Sequence, residues 1–208
     1  MIKNIIFDLS EVIYQGYHGA ENTIEQCLKI PTSEFLKRKE ETLDYFLDTM
    51  RGNHTEEEYF QYLLEGTNWN VTVDTLKTHF RRSIEIPVEG TLGILEELKD
   101  KYTLILLSDY VKEWYDFKIN NNELSIFDHK YFSFQYNKLK KDEGIFEFII
   151  KELNIKPEET IFIDDYDNYT EKANEIGITG ITFINSNQLR DELEKLDVLH
   201  QNKEDIQR

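Results

Sequence analysis

The chain has 208 residues, 39% hydrophobic and 13% aromatic, enough apolar material for a folded core and too much for wholesale disorder. Against 24 Lys and Arg stand 41 Asp and Glu, a formal net charge of −17. Such a field repels phosphate backbones and anionic lipid, which argues against nucleic-acid or membrane partners. An anionic small molecule would need a local cation or a metal.

The single cysteine, Cys27, can form neither an intramolecular disulfide nor a thiolate zinc site. The first residues do not read as a signal peptide, because Lys3, Asn4 and Asp8 interrupt the apolar run. No stretch approaches the ~18 apolar residues of a membrane span. The expectation is a soluble, cytoplasmic monomer.

In chain order, Ile5-Ile6-Phe7 reads as a buried parallel strand ending at Asp8. From about Glu21 to Ile86 the pattern turns helical. Phe35, Leu36, Leu43, Phe46 and Leu47 recur at spacings of three and four, and Thr55 to Glu58 forms a capping box. Pro87 closes this block. A helix then carries Leu92, Leu95 and Leu98, and Thr103 to Leu107 forms a strand ending at Ser108-Asp109. Tyr131 to Phe134 predicts a further strand, Ile145 to Leu153 a helix, and Thr160 to Ile163 a strand ending at Asp164-Asp165. A helix closing near Gly177 and a strand over Ile178 to Ile184 follow, and residues beyond about Leu196 are expected to fray. Strand–helix repetition with one helical insertion implies an α/β fold: a three-layer, Rossmann-like parallel sheet core over 1–15 and 87–208, with an α-helical cap over 16–86.

Open parallel sheets bind ligands beyond the carboxyl ends of their strands. Those ends carry Asp8, Ser108 and Asp164-Asp165, and a basic cluster of Lys138, Lys140 and Lys141 follows the third strand. Carboxylates, a hydroxyl and a lysine can together hold a divalent cation and a phosphoryl group. A carboxylate can also serve as nucleophile. Two adjacent carboxylates after a buried strand repel each other unless a cation lies between them.

These stretches resemble the four ordered motifs of the haloacid dehalogenase-like hydrolase superfamily: Ile6-Phe7-Asp8-Leu9-Ser10-Glu11-Val12-Ile13, Leu106-Leu107-Ser108-Asp109, Lys140-Lys141-Asp142-Glu143-Gly144-Ile145-Phe146 and Ile161-Phe162-Ile163-Asp164-Asp165. The helical block is similar to that family's cap. The resemblance implies a Mg2+-dependent phosphatase acting on a small phosphorylated metabolite. Asp8 would be nucleophile and metal ligand, and Ser108 and Lys140 would hold the phosphoryl, with Asp109 beside them at the substrate. Asp164 and Asp165 would complete the metal site with the backbone carbonyl of Ser10.

Three departures stand out. Serine occupies position 10, where most phosphatases of the family carry a second, acid–base aspartate; Glu11 is one candidate replacement. Lys141 and Asp109 replace a usual proline and asparagine. Tyr166-Asp167-Asn168-Tyr169 lacks the usual serine and shifts the asparagine. Two alternatives stay open: a phosphate-binding or regulatory protein with impaired catalysis, and a dehalogenase.

The five histidines show no metal-ligand spacing. Tyr14, Gln15, Tyr17 and His18 lead from the Asp8 loop into the helical block, as linker or facing substrate. Cys27 is expected to pack, Trp69 and Trp114 to serve as core or hinge, and the runs Glu56-Glu57-Glu58 and Glu96-Glu97 to form solvated helix faces.

Overall fold

Ile5-Ile6-Phe7 offers no polar face, so a strand built from it must be covered on both sides. The computed structural model describes residues 1–119 and 124–200 and buries this segment completely. Five parallel strands, β1 (Asn4–Phe7), β2 (Thr103–Ser108), β3 (His129–Phe132), β4 (Thr160–Asp164) and β5 (Thr179–Thr182), lie in the order β3-β2-β1-β4-β5. Register aligns Phe7 with Leu106 on one side and Ile163 on the other. Asp8 therefore leaves the sheet level with Asp164.

Side-chain alternation along each strand separates two apolar layers. Ile5, Phe7, Leu104, Leu106, Ile161 and Ile163 face one of them, and Ile6, Ile105, Leu107 and Phe162 face the other. Between β1 and β2 come α1 (Tyr17–Glu21), α2 (Ile24–Leu28), α3 (Thr32–Glu41), α4 (Leu43–Met50), α5 (Glu56–Leu64), α6 (Val73–Ser83) and α7 (Thr91–Leu98). The remaining helices are α8 (Lys112–Ile119), α9 (Ser133–Tyr136), α10 (Ile145–Leu153), α11 (Asp167–Glu175) and α12 (Ser186–Lys195). Ile145, Phe146 and Ile149 of α10 cover one face of the sheet, while Leu95 and Leu98 of α7 and Leu189 and Leu193 of α12 cover the other. At β5, a Cβ on Gly180 would collide with the carbonyl of Thr170, so glycine is what lets α11 lie this close.

The chain enters and leaves the inserted helices through paired backbone. The Gln15 amide donates to the Ile86 carbonyl at 2.8 Å, and that of Val88 to Ile13 at 2.9 Å. Within the insertion, Tyr17 packs against Phe46 and Phe80 at ring separations of 4.7 and 4.6 Å. Trp114 of α8 stacks on Phe80 from below, so insertion and sheet share one apolar cluster. The capping box at Thr55 and Glu58 forms as its sequence requires.

Four local expectations need correction. The third strand stops at Phe132 because Ser133 turns the chain into α9, its hydroxyl bridging the Tyr110 amide at 2.9 Å and the Met50 carbonyl at 2.5 Å. Val198 and Leu199 do not fray; both are buried, and their amides bond to the Leu193 carbonyl. Cys27 is exposed rather than packed. Glu56 is not on a solvated face: it is buried and accepts the Trp114 indole N–H at 2.7 Å and the Arg81 Nε–H at 3.2 Å.

That last contact gives a test of the insertion's attachment. Glu56→Ala strands a buried indole donor and is expected to lower urea-unfolding stability by about 1–3 kcal/mol. Glu57→Ala, one residue along on an exposed face, should change it by less than about 0.5 kcal/mol.

Candidate active site

Three strands deliver the site. Asp8, directly after β1, accepts the Leu9 amide on Oδ1 at 2.7 Å and presents Oδ2 to Lys140 Nζ at 3.0 Å. Asp164, the last residue of β4, takes the same ammonium at 2.5 Å on Oδ2 and the Tyr166 amide at 2.9 Å on Oδ1. All three side chains are buried. Asp165 is only partly buried and turns toward the open side. Carboxylate oxygens of Asp8, Asp164 and Asp165 lie within 4.8 Å of one another.

One ammonium does not balance this cluster. Burial pushes the Asp8 carboxyl well above its ordinary range; Lys140 pulls it back, and Asp164 and Asp165 raise it further. Burial, reinforced by Asp164, pushes Asp165 up to about 6. Burial would lower Lys140, but Asp164, Asp8 and Asp109 hold it well above its usual range. Burial leads both carboxyl shifts, and the neighbouring carboxylates add to it. An all-oxygen set of clustered carboxylates suits a hard divalent cation, and Asp8, Asp164 and Asp165 could hold one.

Ser108 ends β2 fully buried, and its hydroxyl has no hydrogen-bond partner among the described residues. An orphaned buried hydroxyl costs roughly 1–3 kcal/mol, which a ligand oxygen placed against it would recover. Asp109 has a different task from direct contact alone. Its carboxylate accepts the Lys140 backbone amide at 3.0 and 3.2 Å, holding the lysine loop in register, and burial pushes it up to about 6 against the pull of Lys140.

A cavity of about 390 Å³ opens over these groups, lined by Asp8, Ser10, Asp109, Lys140, Lys141 and Asp165. The helical insertion supplies its roof, with Tyr17 and His18 from α1, Lys39 from α3 and Leu43, Phe46, Leu47 and Met50 from α4. Trp114, Tyr166 and Tyr169 close the sides. A cleft of about 560 Å³ beside Cys27 and His79 is wider but gathers no comparable carboxylate cluster among the described residues.

Parallel topology, a helical insertion after β1 and a carboxylate–lysine cluster at the strand ends define a hydrolase class. A family model for haloacid dehalogenase-like hydrolases matches residues 2–174, and the chain belongs to that family. Over 202 residues it is 25% identical to a D-ribitol-5-phosphate phosphatase of Bacteroides thetaiotaomicron, covering 93% of this chain and 97% of that one. A HAD-like family hydrolase from Porphyromonas gingivalis superposes with a TM-score of 0.74 at 26% identity, over 97% of this chain and all of the other. A HAD family enzyme of B. thetaiotaomicron, solved with magnesium and inorganic phosphate, shares the fold at a TM-score of 0.68, 22% identity and full coverage of both chains.

Sequence reasoning missed Glu21, Lys39, Arg51 and Tyr166. Lys39 had a readable signal, since it lies four residues after the buried Phe35 and so shares its inward face. Arg51, just past α4, pairs with Asp142 of the lysine loop, its Nη2 donating at 2.8 Å. That hydrogen bond holds Asp142 down at about 2. A depressed carboxyl contributes stability above its unfolded range, near 3.8, and loses it as pH falls toward about 2. Arg51→Met is therefore expected to cost up to about 1 kcal/mol in urea unfolding at pH 7, the deficit closing as the pH approaches about 2. A deficit unchanged across that range would assign it to packing instead.

Proposed function

We propose that this chain is a magnesium-dependent phosphatase of a small phosphorylated metabolite, working as a cytoplasmic monomer through an aspartyl-phosphate at Asp8. One observation carries the reading: carboxylate oxygens of Asp8, Asp164 and Asp165 converge within 4.8 Å, Lys140 bridges the first two, and Asp8, Lys140 and Asp165 line a cavity sized for a small molecule. The D-ribitol-5-phosphate phosphatase relative and the magnesium–phosphate complex of a HAD family enzyme support it.

Asp8 would attack phosphorus as the ester P–O bond breaks, and water would then cleave the aspartyl-phosphate, returning the carboxylate and releasing phosphate. Asp8, Asp164 and Asp165 would hold the magnesium, which would offset the charge of the phosphoryl group. Lys140, fixed between Asp8 and Asp164, stabilises charge on the same oxygens, and the Ser108 hydroxyl donates to one of them. Ser10 favours a second reading, a phosphate-binding protein with impaired turnover.

Phosphate release from a panel of sugar and polyol phosphates, with magnesium and with chelator, tests the first reading. Activity is expected with magnesium alone, and Asp8→Asn should reduce it by more than ~10³-fold. Phosphate bound tightly without release from any ester would favour the second.

A further inference from the structure

Phosphoryl transfer to Asp8 leaves the electron pair of the broken P–O bond on the ester oxygen, and an alkyl oxygen needs a proton as it departs. Ser10 has no acidic proton to offer. Glu11 lines the same cavity, but its Oε1 is committed to the Gly16 amide at 2.9 Å and the Gly19 amide at 3.0 Å. Those two bonds draw the start of α1 down onto the loop. A Cβ on Gly16 would stand 2.7 Å from the Ser10 Cβ, so only glycine allows this approach.

Two residues beyond Gly16, on the wall of the cavity that holds Asp8 and Asp165, stands His18. Its imidazole is held at both ends, with Nδ1 2.9 Å from Glu21 Oε2 and Nε2 2.9 Å from the Tyr166 hydroxyl. Glu21 is buried and also paired with Lys39, so it has no freedom to leave the ring. A carboxylate on Nδ1 fixes the ring and leaves Nε2 as the end that exchanges protons.

We propose that His18, positioned by Glu21, is the general acid and base of this site, replacing the carboxylate that position 10 lacks. The inference rests on the phosphatase reading. In the first half-reaction Nε2–H passes its proton to the departing ester oxygen, which takes the place of the Tyr166 hydroxyl as partner, and the ring becomes neutral. In the second, neutral Nε2 takes a proton from the attacking water as the P–O bond to Asp8 breaks, so the imidazolium returns.

The charges around the ring suit both roles. The Glu21 hydrogen bond raises the imidazole above its ordinary range; burial and Lys39 oppose that, and the charges of Glu21 and Glu11 add to it. Tyr166 is the remaining titratable neighbour. The Glu21 hydrogen bond thus favours the protonated ring that the first step uses.

The experiment compares kcat/KM for wild type and His18→Gln in magnesium buffer, on the alkyl esters of the panel and on p-nitrophenyl phosphate. This ratio reports the first irreversible step, and the nitrophenolate departs without a proton. His18→Gln is expected to lose ~10²–10⁴-fold on alkyl esters while keeping its rate on p-nitrophenyl phosphate. The side chain is 44% exposed, so the variant should fold. Equal loss on both substrates, no loss on either, or a wild type that hydrolyses p-nitrophenyl phosphate alone overturns the assignment and leaves the phosphatase reading standing. A wild type that releases phosphate from no ester removes that reading, and the proton donor with it.

Discussion

Burial of one ammonium between two carboxylates at the carboxyl edge of the sheet is the constraint on which the rest depends. Lys140 without Asp8 and Asp164, or either carboxylate without Lys140, would be an uncompensated buried charge costing several kcal/mol. Their geometry must therefore hold, and the structure braces it from every side. Asp109 fixes the Lys140 backbone, Asp142 accepts the Leu139 amide at 2.9 Å, and Arg51 grips Asp142 from the helical insertion. Even so, one ammonium serves a cluster of three carboxylates, because Asp165 joins the two that Lys140 bridges. A site left electrostatically incomplete is one prepared for a cation and for the anion that follows it.

The insertion is more than a cover. Trp114 belongs to a helix of the sheet domain, yet it stacks on Phe80 and donates its indole N–H to Glu56, both from inserted helices. Apolar packing and one buried polar contact thus dock the roof at a defined height. The cavity takes its character from that docking: Leu43, Leu47 and Met50 stand beside Lys39 and His18 above, with Asp8, Asp165 and Lys140 below.

Much of this was legible in the sequence because strand ends are marked twice. A β-branched apolar run shows where the sheet lies, and the first charged residue after it shows what the edge presents. Asp8 and Asp164-Asp165 were found that way. The choice of Lys140 from three nearby lysines needed the family resemblance, since Lys138 and Lys141 have the same chemistry at nearly the same spacing. What stayed hidden was pairing between distant segments. Nothing local distinguishes Glu56 from Glu57, and the difference lies in Arg81 and Trp114, 25 and 58 residues away. The early end of β3 likewise depends on Ser133 bonding to Met50, 83 residues back. Val198 and Leu199 look like part of a polar tail until Tyr102 donates to the Val198 carbonyl at 3.0 Å.

Serine at position 10 has a consequence for how chemistry and architecture are coupled. An acid on the loop beside the nucleophile stays near Asp8 wherever the inserted helices sit. His18 belongs to α1, the first of those helices, and reaches the cavity only while Glu11 holds the Gly16 and Gly19 amides and Glu21 holds the ring. Tyr166, its other partner, follows directly on Asp165, so the imidazole spans from insertion to sheet at the mouth of the site. With the proposed roles, Asp8 and His18 would act from separate parts of the fold, and the proton would be in reach only when the two are together. Moving the acid from loop to roof makes the docked state of the insertion a condition of turnover, not just of substrate enclosure.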